Sequence, residues 1–262
     1  LKFDVTLNFT SYNNKVVSLP PGTLYYDYGQ SRMQAGQAVS AYFGYKVIGL
    51  FQSADEVAKS PIQDGAAPGR FKFQDVNNDG KIDASDRTFF GNPNPDWTAG
   101  LNLSVAYKNF DFFMFLYACV GNDVLNMVRS STDFPQQFDA AMSKDVALRS
   151  WRPDRTNSKI PMLERQATFS NGLAFSSYFN ENGSFLRCRT MTLGYTIPSA
   201  GLQRWRIDKL RIYAQAVNLF TVTSYTGLDP ELPGNNTLFG VDGGAYPNNQ
   251  KTYSIGVNLS FH

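Results

Sequence analysis

No helix-length apolar run exists in this chain. The longest uninterrupted apolar stretch, residues 112–120, is nine residues long. A spanning helix needs about 20 residues, whereas a spanning strand needs about 9–11. Charge is scarce: Asp, Glu, Lys and Arg make up 18% of the chain, below the roughly 25% of an average soluble domain. With 24 Lys+Arg against 22 Asp+Glu and no basic cluster, a nucleic-acid partner is not expected. Histidine occurs once, as His262, which argues against a Ser-His-Asp triad, a Cys-His pair or a His-rich zinc site. Cysteine occurs twice, as Cys119 and Cys188. Whether they pair is left open, and the expectation is two small buried or lipid-facing thiols. No carboxylate pair sits in a context that would raise one pKa, so an enzyme is not expected.

What the chain has instead is aromatic residues, at 15% with 21 Phe and 14 Tyr, and strict alternation. Tyr253, Ile255, Val257, Leu259 and Phe261 alternate with Ser254, Gly256, Asn258 and Ser260. Successive side chains of a strand face opposite ways, so one face is wholly apolar and the other small or polar. A membrane barrel requires this pattern, with lipid outside, a polar interior and no free edge. The spacing predicts strands over 1–11, 41–51, 97–107, 110–118, 184–197, 209–220 and 252–261. Residues 1–10 already alternate like mid-wall strand rather than reading as a secretory leader, so we expect the tail of a longer protein, or a processed start. The fold class expected is all-β, an antiparallel transmembrane β-barrel of which this chain is an arc.

Arg187 and Arg189 interrupt the 184–197 strand. On the lipid face at mid-depth an arginine costs roughly 2–4 kcal/mol, so both are expected to face the lumen or lie above the bilayer, with a bulge after Arg189 restoring the run Met191, Leu193, Tyr195, Ile197. Connection lengths alternate short and long, which predicts extracellular loops over 52–96, 119–183 and 221–251. Segment 12–40 resists assignment, being a long stretch where a short periplasmic turn belongs. Residues 133–149 carry a weakly helical pattern. Trp97 and Trp205 suit the bilayer interface.

One segment has metal-ligand spacing. Asp75, Asn77, Asp79, Lys81, Asp83 and Asp86 fall at positions 1, 3, 5, 7, 9 and 12 of a calcium loop, Lys81 through its carbonyl, with Gly80 at the sharp turn. Ca2+ takes six to eight oxygens, and alternating short carboxylates and amides can supply them. Position 12 is Asp rather than Glu, a shorter arm. Ile82 is expected to anchor the loop to a core. The competing reading is an Asx-rich surface turn without metal.

Several stretches, in order, carry a resemblance: Gly44-Tyr45-Lys46-Val47-Ile48-Gly49-Leu50-Phe51-Gln52, the segment 75–87, Gly91-Asn92-Pro93-Asn94-Pro95, Gly183-Ser184-Phe185-Leu186-Arg187, Thr192-Leu193-Gly194-Tyr195-Thr196-Ile197-Pro198, Asn218-Leu219-Phe220-Thr221, Tyr225-Thr226-Gly227-Leu228-Asp229-Pro230-Glu231, Tyr246-Pro247 and the terminal strand. Together they resemble the C-terminal part of SusC-like TonB-dependent transporters of the Bacteroidetes outer membrane. The resemblance implies a 22-stranded barrel with a plugged lumen, the plug and N-terminal barrel being absent from residues 1–262. It implies TonB-dependent import of a large nutrient, oligosaccharide or peptide. It also implies a SusD-like lipoprotein as lid, TonB as energy source, lipid around the wall and pairing of transporter–lid units. Loop residues of a type suited to nutrient contact are Trp151, Tyr178, Tyr225 and Asn235. The alternative is a secreted all-β glycan-binding or scaffold module with a dockerin-like calcium loop.

Overall fold

The computed structural model describes residues 1–136, 141–198, 202, 206–234, 237–245 and 249–261. Trp205, Asn235, Tyr246, Pro247 and His262 lie outside the described residues. Six long strands form one antiparallel sheet: β1 (Lys2–Ser11), β2 (Trp97–Tyr107), β3 (Phe110–Val120), β4 (Phe185–Ile197), β5 (Ile207–Thr223) and β6 (Thr252–Phe261). Their spatial order is their chain order, an up-and-down meander.

The pairing register lines up the alternation of every strand. One row across the sheet reads Phe3, Val105, Phe112, Leu193, Ala214, Ile255, and another on the same face reads Val5, Leu103, Met114, Met191, Ala216, Tyr253. The row between them, on the opposite face, reads Asp4, Ser104, Phe113, Thr192, Gln215, Ser254. The sheet is therefore apolar on one side and mixed-polar on the other. The apolar side is uncovered: Phe3, Leu7, Leu193, Ile255 and Phe261 all stand exposed. A soluble sandwich would have buried these rows against a second sheet. The secreted-module alternative is overturned on this point.

Aromatic residues mark both ends of the apolar side. Phe9 and Trp97 meet at 5.7 Å near the loop end, and Phe110 and Tyr195 meet at 4.7 Å near the turn end beside Tyr107. Trp97 and Tyr107 are the two ends of β2. Their ten residue steps span about 34 Å of strand at about 3.4 Å per residue. At a tilt of about 45° that is about 24 Å of membrane normal, close to the roughly 25 Å apolar band of an outer-membrane barrel.

On the polar side, Arg211 of β5 reaches across β4 to Asp111 of β3 with bonds of 2.9 and 2.5 Å. The crossing point is Gly194, where a Cβ would collide with the Arg211 guanidinium and lie 2.5 Å from Asp111 Oδ1. The strand-length bulk of β3 on both faces has the same logic. Phe115 covers Gly100 at 3.1 Å from where its Cβ would stand, and Tyr117 meets Phe185 with ring centroids 5.9 Å apart and the rings tilted. Cys119 lies on this side and Cys188 on the other, as their row partners Thr98 and Leu116 show. Both are free thiols, and the sheet separates them.

The expected wall strand over 41–51 is not in the wall. It divides at Lys46 into two short strands, Tyr42–Tyr45 paired with Arg87–Gly91 and Val47–Leu50 paired with Phe71–Phe73. β1 pairs directly with β2, so 12–96 is a single excursion. This removes the anomaly of segment 12–40, which belongs to a long loop and not to a turn. The run reads like wall because its two ends are apolar and buried, Tyr42 and Phe43 at one and Leu50 and Phe51 at the other, while Lys46 and Ile48 between them are exposed.

The hydrophobic core lies in these loops rather than in the sheet. Tyr42, Leu50, Phe71, Phe73, Ile82, Leu125, Phe134, Trp151, Ala174 and Phe179 form one buried cluster drawn from 12–96 and 121–184. The third excursion, 224–251, joins it through Tyr42 Oη, which donates to Gly240 O at 2.9 Å, and through Val241–Asp242, which pairs in parallel with Asp123–Asn126. All three leave the same end of the sheet. In place of one helix over 133–149, two short helices occur, Val128–Thr132 and Lys144–Arg149.

Candidate functional site in the loop assembly

The wall and loops are clasped together at Arg187. The bulge expected near Arg189 falls there, as the register slips between Cys188 and Thr190 against both neighbouring strands. It turns Arg189 to the polar side with Arg187 and leaves Met191 and Leu193 outward. Arg187, with a side chain 2% exposed, donates to Asp229 Oδ1 at 2.6 Å and Glu231 Oε2 at 2.7 Å. Its Nε donates to Thr221 Oγ1 at 2.9 Å. Arg189 shares Glu231. Two cations thus meet two carboxylates, and every charge buried here has a partner. The clasp fixes the start of 224–251 to β4.

The segment with calcium-loop spacing is a tight turn whose carboxylates fold back on its own amides. Gly80 N donates to Asp75 Oδ2, Asp79 N to Asn77 Oδ1 and Lys81 N to Asp79 Oδ1, each at 3.0 Å. Gly80 has φ 84°, the left-handed geometry that the sharp turn needs. Ile82 is buried in the core cluster, so the anchoring role expected of it holds. Asp83 and Asp86 form a reciprocal cap on a single 3-10 turn. Hydrogen bonds from Ser85, then Lys81, hold the Asp83 carboxyl down to about 2. Lys81 Nζ lies 3.1 Å from Asp83 Oδ2. Asp75 Oδ1 is buried without a hydrogen-bond partner. As the side chains stand, no three His, Cys, Asp or Glu among the described residues gather closely enough to hold a metal ion.

The aromatic residues singled out for nutrient contact are structural. Trp151 is buried and donates from Nε1 to Gln52 Oε1 at 3.0 Å. Tyr225 is buried, its hydroxyl donating to Asp242 Oδ2 at 2.6 Å. Tyr178 donates to Asp133 Oδ2 at 2.8 Å, beneath the Arg129 guanidinium 4.0 Å from its ring. Burial pushes its hydroxyl well above the usual range, against the pull of Arg129. Their size serves the loop core, which is why residue type alone misled.

Beside them opens a cleft of about 940 Å³ between 121–184 and 224–251. Asn126, Arg129, Glu181 and Thr226 belong to its lining. Glu181 is the hub: Thr226 N donates to Oε2 at 2.9 Å, Thr226 Oγ1 to Oε1 at 2.8 Å and Asn126 Nδ2 to Oε1 at 3.0 Å. These partners are 45 and 55 residues apart in the chain, so no local sequence signal could have grouped them.

Comparison with known proteins decides the family. The chain is 30% identical over 279 residues to TonB-dependent receptor P3 of Formosa agariphila, matching 99% of this chain and 27% of that protein. It is 28% identical over 264 residues to TonB-dependent receptor SusC of Bacteroides thetaiotaomicron, matching 99% and 24%. The chain is a portion of a SusC-like TonB-dependent receptor. It spans about a quarter of the length of these curated relatives. Its fold matches that of a chain of the RagAB peptide transporter, with TM-score 0.78, 22% identity, and coverage of 99% of this chain and 27% of the other. No protein-family profile matches. A SusC-like receptor portion is an outer-membrane wall element, in keeping with the two-faced sheet.

Proposed function

We propose that the chain forms one arc of a closed, plugged barrel, of 22 strands by resemblance, that imports a large nutrient across the outer membrane using energy delivered through TonB. The observation that carries this reading is the two-faced sheet of six strands in a chain related over nearly its whole length to TonB-dependent receptors. The nutrient is an oligosaccharide or a peptide. A peptide transporter is among the proteins of similar fold, and the oligosaccharide alternative rests on the family resemblance. The three excursions face the cell exterior, where a SusD-like lipoprotein would close over them. The short link 108–109, at the opposite end of the sheet, faces the periplasm. Uptake by cells carrying the full-length receptor should stop when an uncoupler collapses the inner-membrane gradient. Uptake that continues unchanged would mean a passive pore. Co-purification with a SusD-like lipoprotein from the same membrane tests the lid, and native mass spectrometry of that complex tests pairing of two such units.

A second reading concerns the loop 75–86. Asp75 Oδ1, buried and without a partner, supports uptake of Ca2+ as a structural staple, with Asp75, Asn77, Asp79, the Lys81 carbonyl, Asp83 and Asp86 as ligands. Binding would require the Asp83 and Asp86 carboxylates to give up their capping bonds and the loop to tighten around the ion. Titration of the full-length receptor with Ca2+ should slow proteolysis within 52–96, and Asp79→Ala should abolish that effect. Proteolysis indifferent to both Ca2+ and chelator sinks the staple and leaves the import reading untouched.

A further inference from the structure

The outward face of the wall carries a groove of about 630 Å³ over β5. The register explains it. Across β3, β4, β5 and β6 one outward row reads Phe112, Leu193, Ala214, Ile255, and the next reads Met114, Met191, Ala216, Tyr253. Both rows drop to alanine on the same strand, so the floor lies a side chain's height below its surroundings. Met191 and Leu193 wall it on one side. Tyr253 and Ile255, 68% and 83% exposed, wall it on the other. Gln215 and Ser254 also line it, but alternation points their side chains to the polar face, so they contribute backbone. No charged residue is among its described lining. Neighbouring strands are about 4.8 Å apart, which sets β4 and β6 about 9.6 Å apart. After the half-widths of the flanking side chains, that leaves room for a single straight hydrocarbon chain.

What fills the groove follows from where it is cut. Ala214 is seven residues after Ile207 and Ala216 seven before Thr223, the two ends of β5. The groove is therefore at the middle of the strand, in the face that an outer-membrane wall turns to lipid and continuous with that face. At that depth the surrounding medium is hydrocarbon, and any other occupant must displace it. Burial from water gains nothing here, because lipid tails are as apolar as leucine. Packing decides instead. A smooth wall touches a tail along one side, whereas this groove touches it on the floor and on both flanks. A hollow left unfilled forfeits those contacts for every atom lining it. A flexible tail enters without ordering a second folded surface, the cost that a protein partner would carry. With no cation in the lining and the groove at mid-strand, the headgroup plays no part in recognition.

We infer that this groove seats one acyl chain of a phospholipid, which stays with the receptor longer than the lipid around it. Native mass spectrometry of the full-length receptor tests this, after exchange from dioleoylphosphatidylethanolamine vesicles into detergent. Filling the floor, Ala214→Phe with Ala216→Phe, should lower phospholipid retention roughly tenfold. Leu103→Phe, on the same face over β2, should leave retention unchanged. Both variants exchange apolar for apolar residues in lipid, and heat-modifiable gel mobility checks that they assemble. Wild-type receptor supplies an arm that needs no variant. Dioleoylphosphatidylglycerol should be retained as well as the ethanolamine lipid, and a methyl-branched diphytanoyl lipid less well. Retention that is equal in wild type and the filled variant, absent from wild type, set by the headgroup or indifferent to branching overturns the inference. So does a filled variant that keeps its lipid and loses pairing of receptor copies, which would make the groove the seat of a second copy. None of these outcomes touches the import reading, which stands or falls on uncoupler-sensitive uptake.

Discussion

Arg187 shows how one residue couples the membrane wall to the loops above it. Its guanidinium is buried with Asp229 at 2.6 Å, so Arg187→Met leaves a buried carboxylate without its cation. Breaking such a pair costs about 3–5 kcal/mol, and chymotrypsin, which cuts after aromatic and large aliphatic residues such as Tyr225, Leu228 and Phe239, should then cleave within 224–251 while the wall stays intact. Arg189→Met should do much less, because its side chain is 29% exposed and exposed pairs contribute at most about 1 kcal/mol. Asp83 makes a prediction with pH. Its carboxyl is held below the ordinary 3.8, to about 2, so its contribution to loop order is complete above 3.8 and lost as pH falls towards 2. Pepsin cleavage within 71–86, normalised to an unstructured peptide, should rise across that interval, and Asp83→Asn should flatten the rise. Both arginines and all six calcium-motif positions stood out in sequence because charge and spacing are local properties. Asn126, Glu181 and Thr226 did not, since nothing in one dimension distinguishes a polar residue that will meet a partner across the fold.

At the scale of the element, β4 and β6 carry the sharpest tests. The bulge at Arg189 adds one residue between two stretches that already alternate in phase. Deleting Arg189 should therefore keep Cys188 and Met191 outward, and the receptor should still assemble, as read by heat-modifiable gel mobility. Deleting Thr192 should turn Leu193, Tyr195 and Ile197 inward and abolish assembly, because a shift of one residue exchanges the faces. On β6, Ile255 is 83% exposed on the apolar side. Ile255→Arg should cost about 2–4 kcal/mol if the residue lies at mid-depth, measurable by urea-induced unfolding in lipid vesicles. Ser254→Arg, one step along on the polar side, should be tolerated. The run 41–51 is the element that sequence misplaced. Short strands with apolar ends buried in a loop core and a strand with lipid on one face can share composition, and only the pairing partner tells them apart.

Across the whole molecule, two surfaces solve two different solvents. The sheet puts its apolar rows outward, and the loops gather Tyr42, Phe71, Leu125 and Phe134 into a water-excluding core. β1 and β6 each have one strand partner in the sheet, which leaves two edges with unpaired backbone groups. Expressed by itself, the chain should associate into heterogeneous aggregates in detergent, whereas the full-length receptor should elute from size-exclusion chromatography as a discrete species. The sequence by itself determined the two faces of the six wall strands and the bulge, which are set by each strand's own backbone geometry and by the cost of charge in lipid. Only the tertiary structure decided the loop assembly, the clasp on Asp229 and Glu231 and the cleft beside Asn126. Their partners lie tens of residues apart, and which of many chemically equivalent groups meet there depends on how three long excursions pack against one another.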